Sequence, residues 1–205
     1  MGRLRKTGKI GRSEVEGHLL VGCADYFAID PNSLFKRAAP LEVEIGAGRG
    51  DFIISRAAAM PERNFLAVEL SSPLVEVLTA RAARAELHNL RIARTDARPL
   101  VNLFLPSECV SAYHVYFPDP WPKARHAKHR LFTPWFVANL MRTMTAGAAL
   151  YVATDVPDYA GSIFSIADTQ GLHRTGEPVA GDVATGFARR FIAEGRTIYA
   201  LAFAK

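Results

Sequence analysis

Cysteine is scarce. Only two occur in 205 residues, Cys23 and Cys109. Neither lies in a CxxC or Cys/His ligand spacing, so a structural zinc site and a disulfide framework are both disfavoured. Two unclustered cysteines suit a reduced, cytoplasmic protein. No apolar run approaches the ~20 residues that span a bilayer. The short stretch Leu19–Ala24 is interrupted by a glycine and ends at Asp25, so it makes no signal-peptide core. Glycine (15) and proline (12) are too few and too aperiodic for collagen or low-complexity sequence. The expectation is a cytoplasmic protein with no membrane partner and no metal.

Ordinary globular composition remains: 49% apolar and 22% charged residues. A chain of this length buries ~70% of the surface its unfolded form exposes, so one domain is the prior. Lysine and arginine outnumber the acids 25 to 20. The excess of +5 is concentrated in two places. Residues 1–12 carry Arg3, Arg5, Lys6, Lys9 and Arg12, and Lys123–Arg130 carries four cations and two histidines with no acid. A charge run is by default a solvated face. Residues 1–35 read as a basic, partly mobile arm, and 36–205 as the folded domain.

From Leu41 the pattern becomes strand alternating with helix. LEVEI, NFLAVEL, Leu90–Thr95, VSAYHVYF and Ala148–Ala153 read as strands, and TIYALAFAK as a last one. Helices are predicted from Asp51 to about Met60, from Ser72-Pro73 with a Leu74/Leu78/Ala82/Ala85 stripe, from Thr133-Pro134, and from Pro157 to Gly171. Such alternation implies an α/β fold, a doubly wound, mostly parallel sheet. These sheets bind ligands at the carboxyl ends of their strands. Acids stand at or beside five of those ends: Glu44, Glu69, Asp96, Asp119 and Asp155.

The turn Gly46-x-Gly48-x-Gly50 lets backbone approach a ligand. It is neither GxGxxG nor GxxxxGK[ST], so the dinucleotide and P-loop patterns fail. Glu69 lies 23 residues after Gly46, near the offset at which a carboxylate reaches ribose hydroxyls. Asp96 is placed to meet an adenine edge. Glu44 beside the glycines would repel phosphate and attract a cation. S-adenosylmethionine has a ribose diol, an amino group and a sulfonium but no phosphate, and so suits this loop better than NAD.

Phe117-Pro118-Asp119-Pro120-Trp121-Pro122 is the most specific string. Alternate prolines restrict the backbone around Asp119, and Trp121 adds a flat surface for a planar base. Lys123, Arg125 and His126 follow directly, in a run that suits a phosphate backbone.

Together, LEVEIGAGRGDF, FLAVEL, FPDPWPKARHAKHRL and LYVATDVPDYA resemble the bacterial tRNA (guanine-N7)-methyltransferases, over about residues 41–165. The resemblance implies a Rossmann-like class I methyltransferase fold. It implies methyl transfer from S-adenosylmethionine, leaving S-adenosylhomocysteine, to N7 of a guanine in the tRNA variable loop. Cofactor contacts would fall on Glu44, Glu69, Asp96 and Asp119, besides Gly46 and Gly48. Guanine or tRNA contacts would fall on Lys123, Asp155 and Thr185. Asp119 is the candidate catalytic residue, and Asp155 the candidate for the Watson–Crick edge. The family's Thr-x-x-Glu string is Thr185-Gly186-Phe187-Ala188 here, with alanine at the glutamate position. Alternatives are a methyltransferase acting on another RNA or a small molecule, a degenerate methyltransferase fold serving as an RNA-binding module, and an NAD-dependent oxidoreductase. A monomer or a homodimer is expected.

Overall fold

The computed structural model describes residues 19–21, 30–176 and 185–205. Most of the predicted basic arm, including residues 1–18, lies outside them. Two elements do fall within the stretch read as arm: strand β1 (Leu19–Val21) and the single-turn helix α1 (Pro31–Phe35). Phe35 is buried in the core.

The Rossmann-like succession then runs β2 (Leu41–Ile45), α2 (Asp51–Ala59), β3 (Asn64–Glu69), α3 (Ser72–Arg84) and β4 (Leu90–Arg94). A short helical turn, α4 (Ala97–Pro99), and a π-helical segment, Leu100–Phe104, lead to β5 (Val110–Tyr116). A 3₁₀ turn (Ala124–His129) follows, then α5 (Pro134–Thr143), β6 (Met144–Thr154), α6 (Pro157–Thr169), β7 (His173–Arg174), α7 (Gly186–Ala193) and β8 (Tyr199–Ala204). The strands form one sheet in the order β1-β4-β3-β2-β5-β6-β8-β7. Every pairing from β1 to β6 is parallel, and β8 runs antiparallel to β6 and β7. The chain leaves β2 for β3 and β4, then returns to place β5 on the other side of β2. That reversal is the switch point where a crevice opens.

Alternation along the strands assigns the two faces. Phe65, Ala67, Leu90 and Ile92 pack beneath Phe52, Ile53, Leu78 and Ala82 of α2 and α3. Val43, Ile45, Leu66 and Val68 face the other side, with Leu100, Phe136, Leu140, Tyr159 and Ile163. Gly50 holds the α2/α3 packing together. Its φ is +77°, and a Cβ there would fall 2.1 Å from Leu78 Cδ1.

Three sequence expectations shift. Ser71, not Ser72, caps α3, and Pro73 takes the second helical position. The buried stripe of α3 is Val75, Leu78, Thr79 and Ala82, whereas Ala85 is exposed and Leu74 half-buried. Leu74 is left beside the crevice. Met144 closes the apolar pattern of α5 but already belongs to β6, which starts four residues before Ala148. Among the described residues no helix is long and apolar enough to cross a membrane, and no group of three or more His, Cys, Asp or Glu side chains could hold a metal ion.

Candidate active site

The crevice has two lobes at the carboxyl ends of β2–β5. The larger, about 520 Å³, is lined by Gly46, Glu69, Asp96, Asp119, Trp121 and Phe187, among others. The smaller, about 290 Å³, is bordered by Glu44, Gly48, Asp51, Leu74 and Thr185. Gly46, Tyr116 and Phe187 line both. Volumes of this size are those of small-molecule and cofactor sites.

All six predicted cofactor residues, Glu44, Gly46, Gly48, Glu69, Asp96 and Asp119, thus border one crevice. The glycine turn is shaped by backbone bonds from Gly46 and Ala47 to the Val68 carbonyl (2.8 and 3.1 Å). Glu69 braces it: one oxygen accepts from the Gly48 N–H at 2.8 Å, the other from the Ser71 N–H at 2.8 Å. A carboxylate offers about four acceptor sites, so two remain for a ligand. Asp96 accepts from the Arg98 N–H at 2.8 Å, and Arg98 in turn donates to the His129 carbonyl at 2.9 Å. This ties the end of β4 to the basic turn.

Glu44 differs from the others. It is buried at 3% exposure, and its Oε2 has no hydrogen-bond partner. Burial, with the Asp51 and Glu69 charges adding to it, pushes its carboxyl well above the usual carboxylate range. An orphaned buried carboxyl oxygen beside a crevice is a site waiting for a donor, and a cationic one satisfies it best.

The loop after β5 is held at both ends. Phe117 and Trp121 adopt left-handed backbone (φ 53° and 42°), a conformation seldom seen in bulky residues. Phe117 N–H donates to the Ala153 carbonyl at 2.7 Å, and Arg130 Nε to the Pro120 carbonyl at 2.8 Å. Asp119 between them is exposed at the cleft. Trp121 packs against His129, with ring centres 5.1 Å apart.

The predicted substrate residues divide. Thr185 borders the smaller lobe and caps α7, its Oγ1 accepting from the Ala188 N–H at 3.0 Å. A Cβ at Gly186 would stand 2.8 Å from Asp51 Oδ2, so a larger residue there would push the Asp51 carboxylate aside. Lys123, Arg125 and His126 sit on the turn outside the crevice wall, which is lined instead by Lys128 and His129 of the same run. Asp155 borders neither lobe and pairs with Arg196. Sequence reasoning missed Tyr116, Phe187, Glu42 and His114. The only signal for Glu42, His114 and Tyr116 was polar residues at alternate positions of strands otherwise apolar.

A doubly wound sheet, a glycine turn and an acid-lined crevice at the switch point define a Rossmann-like, S-adenosylmethionine-dependent methyltransferase. Solved structures share the architecture. The 16S rRNA methyltransferase KamB matches with a TM-score of 0.64 at 19% identity, over 84% of this chain and 91% of that one. A SAM-dependent methyltransferase from Aquifex aeolicus matches with a TM-score of 0.57 at 13% identity, over 96% and 99%.

Sequence comparison narrows the class. Residues 38–201 match the Methyltransf_4 family, described as "Putative methyltransferase". The chain is 36% identical to the tRNA (guanine-N(7)-)-methyltransferase of Syntrophotalea carbinolica, over 88% of this chain and 78% of that protein. It is 39% identical to that of Nitrosomonas eutropha, over 86% and 81%. The chain belongs to the tRNA (guanine-N7)-methyltransferase family.

Proposed function

We propose that this protein methylates N7 of a guanine in the variable loop of tRNA, with S-adenosylmethionine as donor. The observation that carries the reading is Glu44: a buried carboxyl with one unpartnered oxygen at the glycine turn, sharing one crevice with Glu69, Asp96 and Asp119. It suits a donor with an ammonium and no phosphate. Glu69 would take the ribose diol and Asp96 the adenine edge.

The cofactor supplies a methyl group already activated on a sulfonium. Guanine N7 has a free lone pair and no proton to lose. Its attack forms the N–C bond as the C–S bond breaks, and the C–S electron pair stays on sulfur. Positive charge thereby passes to the base, and no general base is required. The chain's task is alignment and charge. Asp119, exposed on a loop clamped at both ends, faces the charge that develops on the base. Trp121 and Phe187 offer apolar walls to an extruded guanine. Lys123, Arg125 and His126, with Lys128 and His129, would hold the RNA backbone. Thr185 and Asp155 are the remaining substrate contacts, Asp155 once released from Arg196. We place the enzyme in the cytoplasm, as a monomer or a homodimer.

The test is nucleoside mass mapping of unmodified tRNA incubated with enzyme and S-adenosylmethionine. One N7-methylguanosine in the variable loop is expected, with the rate cut at least about 100-fold in Asp119→Ala, the loss typical of one preorganised electrostatic group. Methylation at another base, or undiminished transfer by the variant, overturns the assignment.

A further inference from the structure

Beneath the crevice lies a polar assembly that the reaction above does not use. Glu42 on β2 is fully buried. It accepts from Arg56, from Arg63 Nη1 at 3.0 Å and from His114 Nε2 at 2.9 Å. His114 on β5 is itself 2% exposed, and its Nδ1 lies 3.0 Å from the Tyr116 hydroxyl. The β2/β5 register sets Glu44 opposite His114. Glu42, Glu44, His114 and Tyr116 therefore share one face of two adjacent strands. Phe52 of α2 packs against both rings, at 4.7 Å from His114 and 4.8 Å from Tyr116, and Tyr151 stacks on His114 at 5.2 Å. The rings are locked.

The polarity of this chain of hydrogen bonds is forced. Burial would raise the Glu42 carboxyl, but the bonds from His114 and Arg56 outweigh it and hold its pKa at about 2. Glu42 is therefore a carboxylate, which only accepts. His114 Nε2 must then carry a hydrogen. Burial disfavours a second proton on the ring, so Nδ1 is an acceptor and the bond can form only if the Tyr116 O–H donates to it. With its one hydrogen committed inward, the Tyr116 oxygen offers nothing but lone pairs to its surroundings. Tyr116 stands where the two lobes of the crevice meet, on the face that carries Glu44.

We propose that Tyr116 is a cofactor-binding residue, its hydroxyl oxygen accepting a hydrogen bond from the ammonium group of the methyl donor beside Glu44, and that His114 and Glu42 are positioning residues that fix the direction of that hydroxyl. The proposal rests on the donor assigned above. A phenol without that inward acceptor would have to be oriented at the moment of binding; here its oxygen is turned in advance. The buried carboxylate, two residues removed, prevents this.

The test is calorimetric binding of S-adenosylhomocysteine, which keeps the ammonium, and of its analogue with hydrogen in place of the amino group. Tyr116→Phe is expected to weaken S-adenosylhomocysteine about ten- to a hundredfold, the worth of one hydrogen bond to a charged group, and to leave the deaminated analogue unchanged. Equal losses for both ligands, or for neither, overturn the proposal. No binding of S-adenosylhomocysteine to the wild type would instead overturn the donor assignment. Nitrogen-15 NMR of His114 supplies a readout free of ligand. The Nε2–H tautomer should persist from pH 6 to 8 in the wild type. An Nδ1–H tautomer or an imidazolium there would overturn the relay.

Discussion

Arg196, in the loop after α7, pairs with Asp155 at the end of β6, and its guanidinium carbon lies 4.0 Å from the centre of the Phe191 ring. The Asp155 side chain is only 9% exposed in this arrangement. Removing one partner of such a pair strands the other's charge, whereas removing both does not. Arg196→Ala should cost about 2–3 kcal/mol in urea denaturation. Asp155→Asn should cost less, and the double variant about the same as Asp155→Asn. The coupling energy should then equal the Arg196→Ala cost, about 2–3 kcal/mol. Additive effects within about 0.5 kcal/mol would mean that the pair does not hold α7 against the sheet.

Glu44 predicts a pH dependence whose sign is fixed. Its carboxyl titrates above the usual range in the free protein because burial, then Asp51 and Glu69, disfavour the charge. The folded state therefore binds a proton that the unfolded state has lost. Stability contributed by Glu44 is fully present below the ordinary carboxylate range and declines as pH rises through the elevated value. A cation bound beside it reverses the shift and expels the proton. Binding of S-adenosylmethionine should thus release up to one proton at pH below the elevated value, and should tighten as pH rises toward it. Calorimetry in buffers of different ionisation enthalpy measures the release. Glu44→Gln should abolish it, and should stabilise the free protein at pH 8 by about 1 kcal/mol or more. Proton uptake on binding would contradict the assignment.

The sheet and the glycine turn were legible because their signals are local. Buried parallel strands read as apolar runs, and Gly46-x-Gly48-x-Gly50 follows directly on one of them. The acids were legible because strand ends converge in any wound sheet. The relay was not. Glu42 and His114 are 72 residues apart, and only the β2/β5 register joins them. Arg196 likewise reaches Asp155 across 41 positions of sequence, so the partner that closes Asp155 could not be inferred. The three residues of β1 lie within a basic, glycine-dotted stretch, and their strand character comes from pairing with Ile92, Ala93 and Arg94 rather than from any pattern of their own.

The basic turn predicts salt dependence. Its cations stand on a short 3₁₀ segment, Ala124–His129, anchored by the Arg130–Pro120 and Arg98–His129 bonds. Each phosphate they neutralise releases counterions, so log K for tRNA should fall by roughly 0.7–0.9 per contact for each tenfold rise in salt. Lys123→Ala and Arg125→Ala, each tested alone, should reduce that slope by about one contact while leaving S-adenosylhomocysteine affinity unchanged. Filter binding between 50 and ~200 mM salt gives the slope. A flat line would remove the basic turn from the RNA interface.

Ala188 predicts that restoring the family's glutamate is harmful. Thr185 caps α7 and Ala188 is its third helical residue, the position from which a capping-box glutamate reaches back. Here, however, the alanine side chain is 2% exposed and packs against Ala153, in contact with Tyr116, Phe117 and Ile198. A glutamate would have to displace those neighbours or leave its carboxylate buried beside apolar groups, costing about 1–3 kcal/mol by overpacking alone. Because Phe117 opens the loop that carries Asp119, the disturbance should reach the site. Ala188→Glu is expected to lower the melting temperature and to reduce kcat for tRNA methylation. Ala188→Ser, small enough to remain in place, should leave both nearly unchanged. A glutamate variant as stable as the wild type and faster on tRNA would show that this position faces the guanine rather than the sheet.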